Sequence, residues 1–360
     1  MTKINTKEFT EKAVNLMKFN DGDTDYLIWQ GDRLMMQNRS GISAYTTVTD
    51  IGEQTIILPA KAIELIKKVN SEICDIDIDG NAITVKYNRS KAKFNMAEKT
   101  VDISLPDEST FPKLNNIPLS LVDNIKKIAK ICPLKDTGRH STEGVYFNGN
   151  GKQLEIVATD GYRIAVLTAE NCKAKMKLII QKTVIDKFIA IAASNNADIN
   201  SGELDMKKAI IQVADYTVIT PTLAVEKYIN YNAAIKQLDF SITVPANSNE
   251  LKAAIERVAL CRDKNTSPII FAAEKNAIYI SAYSSTNRII EEIITNNVEK
   301  SVESGFNPIW FQEILSFFNS DIELKFDTNK LPSLSIEKEK DGQRLFVLML
   351  PMRYKKEATE

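Results

Sequence analysis

Apolar and polar residues recur with two different periods along the chain, and these periods predict helices separated by short strands. In residues 119–135, apolar side chains recur every three or four positions, as along one face of an α-helix. The stretch DIDIDGNAITVKY, from Asp75, alternates with a period of two, which is typical of half-buried strands. The helical period predicts five further helices, at residues 5–18 and 248–264 and in segments that begin at Pro59, Gln181 and Pro308.

The order of helix, strands, second helix and strands occurs three times. The second helices begin 122 and 127 residues apart, which is far longer than the repeat of a solenoid, roughly 20–50 residues. We therefore predict an α+β protein of three tandem domains of one fold, each with two helices packed on antiparallel sheets. The predicted domains are residues 1–116, 117–240 and 241–360. Periodicity alone also permits an unrelated mixture of α+β domains.

Composition narrows the class of protein. The chain has 360 residues, 44% of them hydrophobic and 26% charged, as in ordinary soluble proteins. No stretch approaches the ~20 apolar residues of a membrane helix, and the N-terminus has no signal-peptide core, so we expect a cytoplasmic protein with no membrane partner. Cys74, Cys132, Cys172 and Cys261 form no C-x-x-C pair and are expected to be buried. His140 is the only histidine, which argues against histidine-based catalysis and multi-histidine metal sites.

Two stretches imitate ligand-binding loops. Asp75–Gly80 opens like a calcium loop, but Lys86 occupies the position where a bidentate glutamate is required, so we predict a strand that ends in an Asp-Gly turn. Gly149–Lys152 lacks the spacing of a phosphate-binding loop, and we predict a hairpin turn. The sequence therefore predicts no metal ion and no cofactor.

Charge is distributed unevenly between the helices and the rest of the chain. The six predicted helices together carry +7, whereas the chain carries −1, so the remainder carries −8. Several cations lie opposite the apolar face of their helix and could follow DNA phosphates, although solvated lysines are common on any amphipathic helix. No aromatic residue lies among them and no base-reading motif is present, so attraction without sequence preference is expected. The predicted DNA-facing residues are Lys7, Lys18, Lys126, Lys127, Lys130, Arg257 and Lys264.

Four motifs carry a resemblance to a known family. Gly144–Val166, GVYFNGNGKQLEIVATDGYRIAV, resembles the second domain of the bacterial DNA polymerase III beta subunit, in which a T-D-G-H-R-L-A segment is a hallmark. Ser104–Leu114 is similar to the end of that family's first domain. Gly305–Leu315 is similar to its G-F-N segment, and Leu348–Tyr354 to its C-terminal V-M-P-M-R-L. The motifs follow the family's order over almost the whole chain.

The resemblance implies a DNA clamp. Two chains would close head to tail into a ring of six like domains, with helices lining the hole and sheets outside. Such a ring is not an enzyme; it encircles duplex DNA and holds the replicative polymerase, and it also binds the clamp loader and other proteins with a clamp-binding motif. Two other hypotheses stay open: an enzyme with a carboxylate-bound metal, and a clamp-fold protein that never loads on DNA. The helices of the third predicted domain carry little net charge, partly because of Glu313. This low charge keeps open the hypothesis of a clamp-fold protein that never loads on DNA.

The resemblance also implies a hydrophobic groove for partner peptides between the second and third domains. Tyr162 replaces the family's usual His, Trp310 replaces a usual Tyr, and Lys355–Glu360 extend past the usual C-terminus, so the peptide preference is left open. By motif, the groove residues are Thr159, Gly161, Tyr162, Arg163, Ile164, Asn307, Trp310, Leu350, Pro351, Met352 and Arg353.

A subunit interface is predicted at Leu260. This residue lies about 180° around its helix from the apolar stripe that includes Leu251 and Val258, so a single chain would expose it. In the family, the aligned position packs against the first domain of the other subunit, where Phe94 and Met96 match the partner strand. The predicted interface residues are Phe94, Met96, Leu260 and Cys261.

Overall fold

The computed structural model describes residues 1–20, 22, 25–96, 107–133, 140–205, 207–262 and 267–354. In these residues the chain combines helices with antiparallel strands and is an α+β protein, as predicted. No described helix is both long and apolar enough to cross a membrane. The helices are α1 (Thr6–Met17), α2 (Ala60–Lys68), α3 (Val122–Ala129), α4 (Lys182–Asn195), α5 (Tyr231–Lys236), α6 (Ser248–Val258) and α7 (Pro308–Leu315).

The strands are distributed over the whole chain. The first nine are β1 (Thr2–Asn5), β2 (Tyr26–Gln30), β3 (Arg33–Gln37), β4 (Ser43–Thr47), β5 (Thr55–Pro59), β6 (Ile73–Asp79), β7 (Ala82–Tyr87), β8 (Ser90–Asn95) and β9 (Asn115–Ile117). The next seven are β10 (Gly144–Asn150), β11 (Leu154–Thr159), β12 (Arg163–Ala169), β13 (Lys175–Gln181), β14 (Ile199–Asp205), β15 (Lys208–Val213) and β16 (Tyr216–Pro221). The last six are β17 (Ile242–Asn247), β18 (Ile269–Tyr283), β19 (Arg288–Phe306), β20 (Asp321–Phe326), β21 (Leu334–Lys340) and β22 (Gln343–Met349).

The six predicted helices are all present, and their ends have local causes. Asn5, Asn247 and Asn307 each cap a helix, because the side-chain oxygen accepts hydrogen bonds from backbone N–H groups of the first turn. The helix predicted at 119–135 is shorter: it begins as a 3₁₀ turn, is α-helical only to Ala129, and is followed by Pro133, which cannot continue a helix. The helix predicted at 248–264 is α-helical only to Val258 and continues as a 3₁₀ turn.

The chain divides into two compact units, each made of two stretches. The first unit comprises Met1–Val122 and Ala174–Ala224, and the second comprises Asp123–Lys173 and Val225–Glu360. The middle predicted domain, residues 117–240, therefore contributes to both units. The three-domain division follows a sequence repeat rather than contacts and stays a prediction.

In the first unit, a sheet joins strands that are distant in sequence. Its order is β5-β2-β3-β4-β16-β15-β14-β9, and β4 pairs with β16 so that Tyr45 lies opposite Thr217. A separate four-stranded sheet has the order β1-β6-β7-β8. Helices α1 and α2 contact each other, and Phe9 of α1 packs on Trp29 with ring centres 5.0 Å apart. The unit therefore buries its largest side chains between the helices and a sheet.

In the second unit, seven strands follow the order β10-β11-β12-β22-β21-β20-β17, and β18 and β19 form a long hairpin. The rings of Phe271, Phe306, Phe311 and Phe326 contact one another beneath α7. Because these rings are fully buried, they fix α7 on the sheets.

The stretches that imitate ligand-binding loops are ordinary strand structure. Asp75–Asp79 lie in β6, and Asp77 forms an ion pair of 2.9 Å with Lys86 of the neighbouring β7. Gly149–Lys152 lie at the turn between β10 and β11. Both predictions are confirmed. Among the described residues, no group of His, Cys, Asp and Glu side chains could hold a metal ion. All four cysteines are buried, as expected.

The contact between α1 and β16 in the first unit can be tested by one hydroxyl deletion. The Asn15 side-chain amide donates a 3.0 Å hydrogen bond to the hydroxyl of buried Tyr216. We expect Tyr216→Phe to lower the free energy of unfolding in urea by about 1–2 kcal/mol, because the buried amide loses its acceptor. Tyr87→Phe, a tyrosine of β7, is the control. Equal stability of the two variants would contradict this role.

Candidate functional site

The turn between β11 and β12 is fixed by its own polar side chains. Gly161 has φ +88°, which favours glycine. The Asp160 carboxylate accepts hydrogen bonds from the backbone N–H groups of Tyr162 (2.9 Å) and Arg163 (2.7 Å). The Thr159 hydroxyl donates to the Arg163 carbonyl (2.7 Å) and accepts from the Gly161 N–H (3.0 Å). These hydrogen bonds fix the backbone from which the side chains of Tyr162 and Arg163 extend.

Arg163 lies beneath the surface of this region, with only 4% of the residue exposed. Its Nε and Nη2 atoms each lie 2.9 Å from Asp160 Oδ2, and Nη1 lies 2.6 Å from Glu313 Oε2 on α7. The guanidinium carbon is 5.3 Å from the ring centre of Trp310. Arg163 therefore connects the turn to α7 and supports the Trp310 ring.

An aromatic pair lies above Arg163. The Asn307 cap begins α7, and Trp310 is in its first turn. Tyr162 stacks on Trp310 with ring centres 5.2 Å apart and planes inclined by 26°. Tyr162 is 58% exposed, so much of this aromatic surface faces solvent.

The C-terminal residues continue from the sheet along the edge of this site. Strand β22 pairs with β12, so that Leu348 lies opposite Ile164. The Leu350 N–H donates to the Tyr162 carbonyl (2.9 Å), and the Met352 N–H donates to the Gly305 carbonyl (2.7 Å). These bonds join the turn, the C-terminal residues and the end of β19.

Glycine is required at position 305 because the Met352 carbonyl and the Tyr354 ring lie close to its backbone. A Cβ atom at this position would lie 2.7 Å from the Met352 carbonyl oxygen and 2.7 Å from Cδ1 of Tyr354. The Tyr354 hydroxyl donates to Glu303 at 2.5 Å. Burial, together with this hydrogen bond, raises the pKa of Tyr354 above its ordinary value.

All the residues predicted for the groove lie in the second unit, and most are joined by direct contacts. Exposed Tyr162 and Leu350, with partly buried Trp310 and Met352, form an apolar surface. Exposed apolar surface of this kind is typical of an interaction site. Arg353 is exposed at its edge. Their role as peptide ligands stays a prediction.

Sequence reasoning missed three residues of this region. Ile309, on α7, is exposed beside the Asn307 cap, and Asp160 and Glu313 hold Arg163. Asp160 belongs to the Asp-Gly turn signal and could have been found from it. Nothing in the local sequence links Glu313 to Arg163, because they are 150 residues apart.

The predicted DNA-facing cations differ in their surroundings. Lys7, Lys126 and Lys130 are exposed. The Lys18 ammonium donates to the Asn15 side chain at 2.7 Å, and the Lys127 ammonium donates to the Phe317 carbonyl at 3.2 Å. Lys264 lies outside the described residues.

Arg257 is paired with a carboxylate. Its Nε and Nη2 atoms donate to Glu291 on β19 at 2.5 and 2.6 Å. These hydrogen bonds raise the pKa of Arg257, and they lower the pKa of Glu291. Arg257 therefore presents less net charge to solvent than the sequence pattern implied.

The predicted interface residues lie at exposed and edge positions. Leu260 is 82% exposed, as expected for a single chain, whereas its neighbour Cys261 is buried. Phe94 belongs to β8, the last strand of its sheet, and Met96 follows it; both are partly buried. Whether these residues meet in an assembly stays a prediction.

Comparison with known proteins agrees with this geometry. Residues 238–353 match the family described as DNA polymerase III beta subunit, C-terminal domain. The beta sliding clamp of Haemophilus influenzae is 22% identical over 326 residues, which cover 87% of this chain and 86% of that protein. The beta sliding clamp of Synechococcus elongatus is 24% identical over 299 residues, which cover 77% and 76%. The crystal structure of the DNA polymerase III subunit beta from Pseudomonas aeruginosa matches with a TM-score of 0.85 and 17% identity, and covers 98% of this chain and 99% of that one.

The fold is therefore that of the DNA clamp proteins, with matching sheets and helices. Its C-terminal third matches the DNA polymerase III beta subunit family model, and most of the chain is similar to beta sliding clamps at low identity, in agreement with the resemblance of its motifs.

The short distances from Gly305 to Met352 and Tyr354 predict that a larger residue at position 305 destabilises the protein. Gly305→Ala should lower the free energy of unfolding by about 1–3 kcal/mol, because the new methyl group displaces residues 350–354 from β19. Urea denaturation measures the change. Ser301→Ala, at an exposed position of the same strand, is the control and should change stability by no more than about 0.5 kcal/mol. Matching values for the two variants would refute the argument.

Proposed function

We propose that this protein is a DNA sliding clamp, in which two copies close head to tail into a ring around duplex DNA. The ring binds DNA without sequence preference and tethers the replicative polymerase in the cytoplasm. It performs no chemistry itself. Relatives named beta sliding clamp, and matching structures named DNA polymerase III subunit beta, support this function.

The observation that carries the proposal is a repeated strand pairing. Strand β4 of the first predicted domain pairs with β16, the last strand of the second. Strand β12 of the second pairs with β22, the last strand of the third. By the same rule, the corresponding strand of the third, the first half of β19, would pair with β8, the last strand of the first. We propose that this β8 belongs to a second copy of the chain.

The two strand edges are suited to that pairing. Among the described strands, β8 pairs only with β7, and β19 pairs only with β18; the isolated bridge between Gly305 and Met352 lies at the far end of β19. Exposed Lys91 and Lys93 of β8 complement exposed Glu292 of β19 in charge. Pairing in a closed ring removes edges that would otherwise invite aggregation.

Exposed apolar side chains lie near the same edge. Ile294 of β19 is 83% exposed, Ile290 is also exposed, and Leu260 follows α6, which packs on this hairpin. A second copy would cover apolar surface that a single chain leaves in water. Phe94 and Met96 are the apolar residues that we expect opposite.

The lysines of the helices are proposed to follow the DNA backbone. Exposed Lys7, Lys126 and Lys130 supply charge without aromatic or base-reading partners, so their attraction to phosphates does not depend on sequence. Attraction of this kind lets a protein move along DNA.

The groove is proposed to bind short peptides of the polymerase, the clamp loader and other proteins with a clamp-binding motif. The aromatic surface of Tyr162 and Trp310, together with the adaptable Met352, suits an extended peptide segment with one or two apolar anchors. In this way one ring can hold different enzymes on DNA in turn.

A clamp-fold protein that binds partners but never loads on DNA is the second candidate. The pairing of Arg257 with Glu291 favours it, because it removes one of the expected phosphate-binding charges. Oligomeric state and DNA binding separate the two candidates.

The ring predicts a specific mass in solution. Light scattering at micromolar concentration should give a particle near twice 40.4 kDa. Leu260→Asp should convert it to a monomer, because the charge would be buried without a partner. Exposed Ile309→Asp, on α7, is the control and should leave the dimer intact.

A dimer that survives Leu260→Asp would remove Leu260 from the interface and keep the ring. A wild-type monomer at this concentration would contradict a closed ring and favour the second candidate.

DNA binding should depend on the exposed helix lysines. We expect Lys126→Glu combined with Lys130→Glu to weaken binding to a short duplex by at least roughly tenfold and to reduce the salt slope by up to about 4, because the two-chain ring loses four phosphate contacts, two from each copy. Fluorescence anisotropy at several salt concentrations measures both quantities. Lys330→Glu combined with Lys340→Glu, both exposed and away from the helices, is the control. Identical salt slopes for the two pairs would argue against DNA binding by α3.

A further inference from the structure

A buried ionic group lies directly under the aromatic surface of the candidate groove. Arg163 is held by Asp160 and Glu313, with N–O distances between 2.6 and 2.9 Å. A guanidinium that leaves water is costly unless its donors are paired, so the two carboxylates make this position of Arg163 possible. The sequence resemblance placed Arg163 on the groove surface, whereas in the structure its charged end is covered.

The two carboxylates come from different parts of the groove. Asp160 belongs to the turn between β11 and β12, which carries Tyr162. Glu313 belongs to α7, one turn beyond Trp310. Arg163 therefore ties the turn to the helix, and its guanidinium also contacts the Trp310 ring. The side chains of the turn and of the helix are thereby held in one arrangement.

The position of the Tyr162 ring depends on this arrangement. Its backbone is fixed by hydrogen bonds to Asp160 and from Leu350. In the described part of the chain, no hydrogen bond is formed by its hydroxyl, so the ring is oriented by its stack on Trp310. Any shift of Trp310 relative to the turn would change the surface that the pair presents.

We propose that Asp160, Arg163 and Glu313 form an ionic brace that positions Tyr162 and Trp310 for peptide binding. The inference rests on the proposed peptide-binding function of the groove. Asp160 and Glu313 are positioning residues: they act through Arg163 and Trp310 and do not touch the peptide.

Peptide binding and tryptophan accessibility together test the brace. The probe is an octapeptide selected on the wild-type protein from a random phage library, labelled and titrated by fluorescence anisotropy. The variants are Glu313→Gln, which removes one charge with little change in shape, and Trp310→Ala. Exposed Glu323→Gln of β20 is the matched control. Acrylamide quenching of fluorescence reports on Trp310, because the only other tryptophan, Trp29, is fully buried.

We expect the selected peptides to lose binding with Trp310→Ala. Glu313→Gln should weaken binding roughly tenfold, equivalent to about 1.4 kcal/mol, and should increase quenching, while the dimer mass stays unchanged. Glu323→Gln should change neither quantity. If Glu313→Gln does not fold, Glu313→Asp, which keeps the charge but shortens the reach, should show the same pattern more weakly.

The outcomes separate the two levels of the argument. If no selected peptide depends on Trp310, the proposed function of the groove is wrong. If binding depends on Trp310 but Glu313→Gln behaves like Glu323→Gln, the groove stands and the brace is wrong.

Discussion

The architecture of the second unit depends on the pairing of β12 with β22. Seven residue pairs, from Arg163 opposite Met349 to Ala169 opposite Gln343, join parts of the chain that are about 180 residues apart. Such a long-range pairing costs loop-closure entropy, which the buried strand residues offset. It also places the C-terminal residues beside the Asp160 turn. The candidate groove exists because this one backbone ladder brings its two sides together.

Charge has two opposite uses in this protein. On the helices, exposed lysines such as Lys126 and Lys130 are solvated, so their interaction with a polyanion is long-ranged and weakened by salt. Beneath the groove, Arg163 is removed from water and paired, so its interactions are short-ranged and directional. The first arrangement suits movement along DNA, and the second suits a fixed recognition surface.

Exposed apolar residues are grouped where an assembly would need them. Tyr162, Ile309 and Leu350 belong to the groove region. Ile290 and Ile294 lie on β19, and Leu260 lies in the 3₁₀ turn that follows α6. In each case polar backbone edges or ionic contacts lie next to the apolar side chains, as in the rim of many interfaces. The fold and the proposed ring thus use the same device, edge pairing of strands, within and between chains.

The sequence by itself determined the α+β class, the six helices, the strand nature of Asp75–Asp79 and the resemblance to DNA polymerase III beta subunits, because these depend on local periodicity, turn residues and motifs read along the chain. It also identified Leu260 as exposed, since helical geometry fixes which face a residue occupies. Only the tertiary structure decided that Arg163 is buried and that Glu313 holds it, because that contact joins residues 150 positions apart. It likewise decided that Arg257 is paired with Glu291, since a sequence shows which side of a helix a charge lies on and not which strand faces it. Local patterns fix secondary structure and exposure, whereas long-range packing decides which charges remain free to bind a partner.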